Sequence, residues 1–230
     1  MATRRRDGKP TPAAKIGLGA RLRTEREGKE IGLRELARRV GVSPSLISQI
    51  ETGKSDPSVS TLLAIASELD LSPNEIVFGP KTPKAPVAAP RADAKRPRGR
   101  WPVEADDADA SRGPVQRAAT RKAINLEFGV RWERLTPSPD HDVDFLFVRY
   151  DVGAESTPAN ALMRHSGREY AYVISGRLLV AIGFEEYELG PGDSITFSAS
   201  MPHRLATIGD EPAEAVWMVV GRRTAPDPAA

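Results

Sequence analysis

From Pro80 to about residue 115 the chain reads PKTPKAPVAAPRADAKRPRGRWPVEADDADASRGP. No apolar period runs through this stretch, and its Pro, Ala and charge leave nothing with which to bury a core, so it reads as a disordered linker. It divides the 230 residues into two pieces, each the size of one small domain. The two pieces carry different patterns. Residues 16–79 place apolar side chains at helical spacing, whereas 116–222 hold short β-branched and aromatic runs separated by Gly, Pro, Asp and Ser. The ends, 1–15 and 223–230, lack either pattern and are expected to be disordered tails.

Charge follows the same division. Residues 1–100 hold 20 Lys and Arg against 11 Asp and Glu, while 101–230 hold 13 against 20. A basic half joined to an acidic half points to a polyanion as partner of the first and not of the second. Within the linker, KRPRGR is followed by EADDAD, which reads as solvation, and Trp101 is unusual in such a setting. The absence of cysteine excludes a disulfide scaffold, thiolate zinc sites and thiol catalysis. MATRRRDGKP has no apolar run behind it, and nothing approaches the roughly 20 apolar residues of a membrane span, so a soluble cytoplasmic protein without a membrane partner is expected.

In the first half, Leu33, Leu36, Ala37 and Val40 recur at helical spacing, then Ile47 and Ile50, then Leu62, Leu63, Ile65, Ala66 and Leu69. The punctuation is specific. Gly32 precedes Leu33 and Gly41 follows Val40; Ser43 caps a helix with Pro44 at its first position; Gly53 ends it and Pro57 starts the next. SPNE at 72–75 is a capping box. Two short helices joined by a tight Gly-containing turn form a helix-turn-helix unit. With one more helix at 17–27 the expectation is a five-helix domain over 16–79.

The stretch LRELARRVGVSPSLISQIETGK resembles the XRE family, the DNA-binding domains like those of lambda repressor and Cro. That resemblance makes the helix at about 43–52 a recognition helix for double-stranded operator DNA. Leu46, Ile47 and Ile50 form its inner face. Pro44, Ser45, Ser48 and Gln49 point outward, where hydroxyls and an amide reach base edges. Arg38, Ser43, Thr52 and Lys54 are placed for phosphates.

In the second half, DVDFLFVRYDV, EYAYVISG, RLLVAIG, SITF and AEAVWMVVG read as strands of a sandwich or barrel. MRHSGREYAYVISG resembles the first motif of the cupins, with His165, Glu169 and Gly176 in register and Met163 where a further histidine belongs. PGDSITFSASMPHRLATIG resembles the second, with Gly192, Asp193 and His203 in place, Ser200 near the motif's internal glycine and Thr207 at its closing asparagine. The resemblance implies an all-β double-stranded helix, or jelly-roll barrel, whose motif residues line the interior.

Two histidines and a carboxylate, His165, Glu169 and His203, suffice for a divalent metal with open positions. Met163 is a poor ligand for hard divalent ions, so the same groups read better as an effector pocket made by Met163, His165, Glu169 and His203 without metal. Arg164, Arg168, Arg204 and Tyr172 lie near the motifs, and one inward arginine would suit a carboxylate ligand. His141 reads as a loop residue.

The order of domains matches a known bacterial architecture, a helix-turn-helix joined to a cupin. It implies a non-enzymatic transcription regulator, acting as a homodimer, whose barrel senses a small molecule. A metal-dependent oxygenase or isomerase tethered to DNA, and an antitoxin-like binder with a purely dimerising barrel, remain the alternatives. The linker's length makes rigid coupling between the two halves unexpected.

Overall fold

The computed structural model describes residues 15–78, 113–140 and 142–221. Of the expected linker and tails, only Lys15 and residues 113–115 are described; the rest, with Trp101 and His141, lies outside the described residues. Five helices form the first half: α1 (Lys15–Gly28), α2 (Leu33–Val40), α3 (Pro44–Glu51), α4 (Val59–Glu68) and α5 (Pro73–Phe78). Their limits follow the punctuation. Gly41 takes φ +75 after α2, and Ser43 accepts a hydrogen bond from Leu46 N–H at the start of α3. Ser72 and Glu75 exchange reciprocal backbone bonds of 3.0 Å, a complete capping box at α5. Helix α4 departs from expectation: it opens at Val59 rather than Pro57, because Ser58 is its cap and the Ser58 hydroxyl accepts Thr61 N–H.

Leu22, Leu36, Ile47, Ile50, Leu62, Ile65, Leu69 and Ile76 are fully buried and make the helical core. Leu46, expected inside, is only half-buried against it. Two features lock α1 to the end of α3. A Cβ on Gly19 would sit 2.3 Å from Ile50 O and 2.6 Å from Glu51 O, so only glycine allows this approach. Beside it, Arg26 grips Glu51 with two bonds of 2.6 and 3.0 Å and donates a third, of 2.9 Å, to Ile31 O.

The second half is all antiparallel β. Its strands are β1 (Ala123–Leu126), β2 (Val130–Arg134), β3 (Val143–Tyr150), β4 (Arg168–Ser175), β5 (Leu178–Ile182), β6 (Glu185–Leu189), β7 (Ser194–Ser198), β8 (His203–Thr207) and β9 (Ala213–Val220). A six-stranded sheet, β1-β2-β3-β9-β4-β7, faces a three-stranded one, β6-β5-β8. Burial alternates along β2, β3, β8 and β9, so one row of side chains fills the space between the sheets. Trp132, Leu146, Val148, Val173, Val180 and Trp217 are among that row. Gly176 turns β4 into β5 at φ +69, where a Cβ would meet Pro212 O at 2.3 Å. A side chain is excluded there twice over, by backbone angle and by space.

The two halves touch. Glu127 N–H donates to Pro57 O at 2.9 Å, and α4 lies across one end of the barrel, where its Val59 and Leu63 are 1% and 6% exposed. Local patterning carries no signal of this contact, which joins segments far apart in the chain. The face of α4 carrying Val59 and Leu63 packs on the barrel, while Leu62, Ile65 and Leu69 serve the helical core. The docking thus accounts for an apolar surface wider than one helix face needs.

Candidate functional site

The outward row of α3 stands clear of the barrel. Ser43, Pro44, Ser45, Ser48, Gln49, Thr52 and Lys54 are all exposed, as is Arg38. They do not stand alike. Ser43 spends its hydroxyl oxygen on the α3 cap, and Thr52 Oγ1 donates to Ser48 O at 2.8 Å. Arg38 makes a two-pronged bond to Glu35 at 2.7 and 3.0 Å, and Arg39 adds 2.8 Å to the same carboxylate. Those two guanidiniums hold the Glu35 carboxyl down at about 2. Arg38 therefore meets a phosphate only in competition with Glu35, the acidic residue in the first turn of α2. Ser45, Ser48, Gln49 and Lys54 are the members of the row whose side chains point to solvent uncommitted among the described residues.

The barrel brings the motif residues together beneath α4. Glu169 rises from β4 and His203 from the first position of β8, while His165 comes from the segment leading into β4. Met163 and His203 exchange two backbone bonds of 2.9 Å, which pins that segment to β8. Glu169 Oε1 lies 2.6 Å from His165 Nε2 and 3.3 Å from His203 Nε2. Its other oxygen accepts Trp217 Nε1–H at 2.8 Å. Trp217 is the positioning group that the motifs do not name; only its inward place on β9 marks it. Glu169 is 2% exposed and His203 fully buried. Burial pushes the Glu169 carboxyl up, but the facing His165 and His203 imidazoles outweigh it and hold the group below the usual carboxylate range. The same burial, with the Glu169 charge, raises the Tyr150 phenol.

The protons can be placed from the partners. His165 Nδ1 faces Ser166 O at 3.0 Å and His203 Nδ1 faces Met201 O at 2.8 Å. A carbonyl only accepts, so each Nδ1 carries a proton. In a neutral ring Nε2 is then a lone pair, and both Nε2 atoms face Glu169 Oε1. Three acceptors around one point repel unless an imidazole is protonated or a cation lies among them. His203 Nε2 is buried and meets no hydrogen-bond partner. The three donor atoms lie within 4.8 Å of one another, and their carbonyl-oriented Nδ1–H groups are the outer support seen around metal-bound imidazoles. The residues present thus fit a divalent cation as a three-donor set, with Met163 rather than a fourth strong ligand in the adjoining lining.

Of the neighbouring arginines, Arg168 Nε donates to Thr196 Oγ1 at 3.3 Å and Arg204 pairs with Glu155 at 2.5 Å. Arg164 is exposed at the rim. Tyr172 lies on the outer face of β4, half-exposed and away from the interior. Gly192 takes φ +92 and Asp193 Oδ2 accepts Gly190 N–H at 2.8 Å, so these motif residues build a turn rather than the pocket. Thr207 Oγ1 donates to Asp151 O at 2.8 Å and ties β8 to the end of β3.

Comparisons with known proteins agree with both halves. A helix-turn-helix family model matches residues 22–76, and a cupin domain model matches 146–219. The chain is 23% identical over 191 residues to the HTH-type transcriptional regulator PuuR of Escherichia coli K12, covering 83% of this chain and 88% of that protein. It is 36% identical over 79 residues to the HTH-type transcriptional regulator DicA of the same organism, covering 34% and 58%. Among solved structures, an HTH_3 family transcriptional regulator from Vibrio cholerae shares the fold with a TM-score of 0.59 at 20% identity, over 92% of this chain and 98% of that one. No described helix is long and apolar enough to cross a membrane. The chain is a DNA-binding transcription regulator that joins an XRE-type helix-turn-helix domain to a C-terminal cupin domain.

Proposed function

We propose that the protein reads a paired operator in double-stranded DNA as a homodimer and answers to a small-molecule effector bound at the barrel, without turnover. The observation that carries the DNA reading is the uncommitted row Ser45, Ser48 and Gln49 on α3, followed by Lys54. A helix held by Ile47 and Ile50 from behind presents these groups at the spacing that a major groove accepts. Gln49 supplies an amide for adenine, the two serines short hydroxyls, and Lys54, Ser43, Thr52 and Arg38 the phosphate contacts. Helix-turn-helix heads of this kind read half-sites about one helical turn apart, which is why a two-fold dimer is part of the proposal.

Gln49→Ala is expected to weaken specific binding by about 1–3 kcal/mol in a gel-shift titration, and Lys54→Ala to weaken binding to all sequences while reducing the salt slope by about one unit. Unchanged operator affinity in Gln49→Ala would remove α3 from base reading.

In the barrel, His165, Glu169 and His203 are read as the polar anchors of an organic effector and Met163 as its flexible apolar lining. A second reading is favoured by the unpartnered His203 Nε2: a divalent cation held by His165, Glu169 and His203, which would supply a positive anchor for an anionic ligand. Elemental analysis of the full chain purified without added metal separates them. Substoichiometric metal supports the first, and about one ion per chain supports the second. Under the first reading, Met163→His supplies the fourth strong ligand and is expected to raise metal content toward one per chain. No rise would show that the gap at Met163 is not what limits metal binding.

A further inference from the structure

The space at the Glu169 site beneath α4 is small. The space among Glu169, Trp217 and Leu63 is about 30 Å³, the share of one water in liquid. Immediately outside it, between α4 and residues 162–166, lies a cleft of about 410 Å³, within the range of ligand sites. Thr61, Ala64 and Glu68 line it from the helical side, and Met163, Arg164 and His165 from the barrel side. Its charges do not cancel. Arg39, on the helical rim, bonds Glu35 at 2.8 Å and approaches Glu68 at 3.8 Å, so the Glu68 carboxylate already has its counterion. Arg164 pairs with no carboxylate among the described residues, whereas Arg168 and Arg204 have partners elsewhere. One guanidinium is left over, beside an apolar surface made by Leu63 and Met163.

We propose that the body of the effector lies in this cleft, which shares Met163 and His165 with the barrel site. Each domain supplies one wall, and the ligand is a small amphipathic anion. Its carboxylate pairs with Arg164 and its apolar body lies between α4 and Met163, with His165 at the floor. The inference rests on the reading of the barrel half as a sensor. It adds a route for coupling that needs nothing from residues 79–112: a ligand in the cleft touches α4 directly, and α4 packs on α2, which in turn packs on α3. An occupant that favours one seating of α4 on the barrel shifts the arrangement of the two DNA-reading heads by its differential affinity for that seating.

The test is calorimetric titration of the full chain with sodium octanoate, with gel-shift titration on its operator with and without the same salt. Saturable binding is expected, weakened at least tenfold in Arg164→Ala and abolished in Ala64→Trp, whose indole fills the cleft from the helical wall. Tyr172→Ala, on the far face of β4, should bind as the wild type does. Ala64→Leu replaces Ala64→Trp if the latter does not melt as a folded protein, and should weaken binding in the same direction. Failure of octanoate to bind overturns the ligand class. Binding that Arg164→Ala weakens but neither Ala64 variant changes overturns the two-walled site and leaves the sensor reading standing. Binding with all the expected losses but no change in operator affinity supports the cleft and overturns the sensor reading.

Discussion

A chain with Glu51 replaced by alanine is expected to lose about 3 kcal/mol of stability in its helical half, and with it operator binding. The Glu51 side chain is 4% exposed and that of Arg26 8%, and they meet through two bonds, one of them 2.6 Å. Removing the carboxylate leaves a guanidinium inside the structure with Ile31 O at 2.9 Å and Glu27 at 3.6 Å as its remaining partners. Those contacts place the loss at the lower end of what a broken buried pair costs. For a domain of this size, 3 kcal/mol lowers a melting transition by more than about 10 °C. The double change Arg26→Met with Glu51→Met removes both charges and should recover most of the stability, because an apolar pair of similar volume has no desolvation to repay. Thermal melts followed by circular dichroism decide it. A Glu51→Ala protein that melts with the wild type would show that the pair does not hold α1 to α3.

The second large effect is expected in the barrel. Gly176→Ala should destabilise it by about 2–5 kcal/mol, the sum of a left-handed residue's strain and a forced displacement in packed structure. The displaced atoms are backbone, Pro212 O at 2.3 Å and Ala213 Cα at 2.6 Å, so no side-chain rotation relieves the overlap. Ala213 pairs with Tyr150 across β3 and β9, hence the strain passes into the strand that carries Trp217 and its bond to Glu169. Near-ultraviolet circular dichroism and melting of the Gly176→Ala chain, compared with the exposed control Gly209→Ala at another left-handed turn with open space around it, measure the contribution of the close approach. Equal losses in the two variants would mean that backbone angle alone accounts for the glycine.

The helical half was legible in the sequence because its signals are local. Ser43 with Pro44, Gly41 after Val40, and Ser72 with Glu75 each act within one turn, so their spacing alone marks the helix ends. Gly19 and the pair Arg26–Glu51 were not legible. A glycine and an arginine in a charged first helix look like surface, and only the third helix, 25 positions on, shows what they meet. Among the strands, β1, β2 and β8 were missed. VRWER places Arg131 and Glu133 outward and HRLAT places Arg204 outward, and these charges hide an inward row of Val130, Trp132 and Arg134 in one, and His203 and Leu205 in the other. The candidate site was half legible. His165, Glu169 and His203 were named by motif spacing and do converge. Trp217, which orients Glu169 from β9, and Val59 and Leu63, which close the barrel end from the other domain, became visible only when distant segments met.

Selection of genomic fragments by the purified full chain, with Gln49→Ala in parallel, tests the central claim most directly. The wild type is expected to enrich a small set of fragments that share an inverted repeat with half-sites about 10 base pairs, or a multiple of that, apart. Gln49→Ala should lose that enrichment while keeping weak, salt-sensitive binding to any duplex. Enrichment of the same fragments by both proteins, or of none by either, would contradict an operator read through α3.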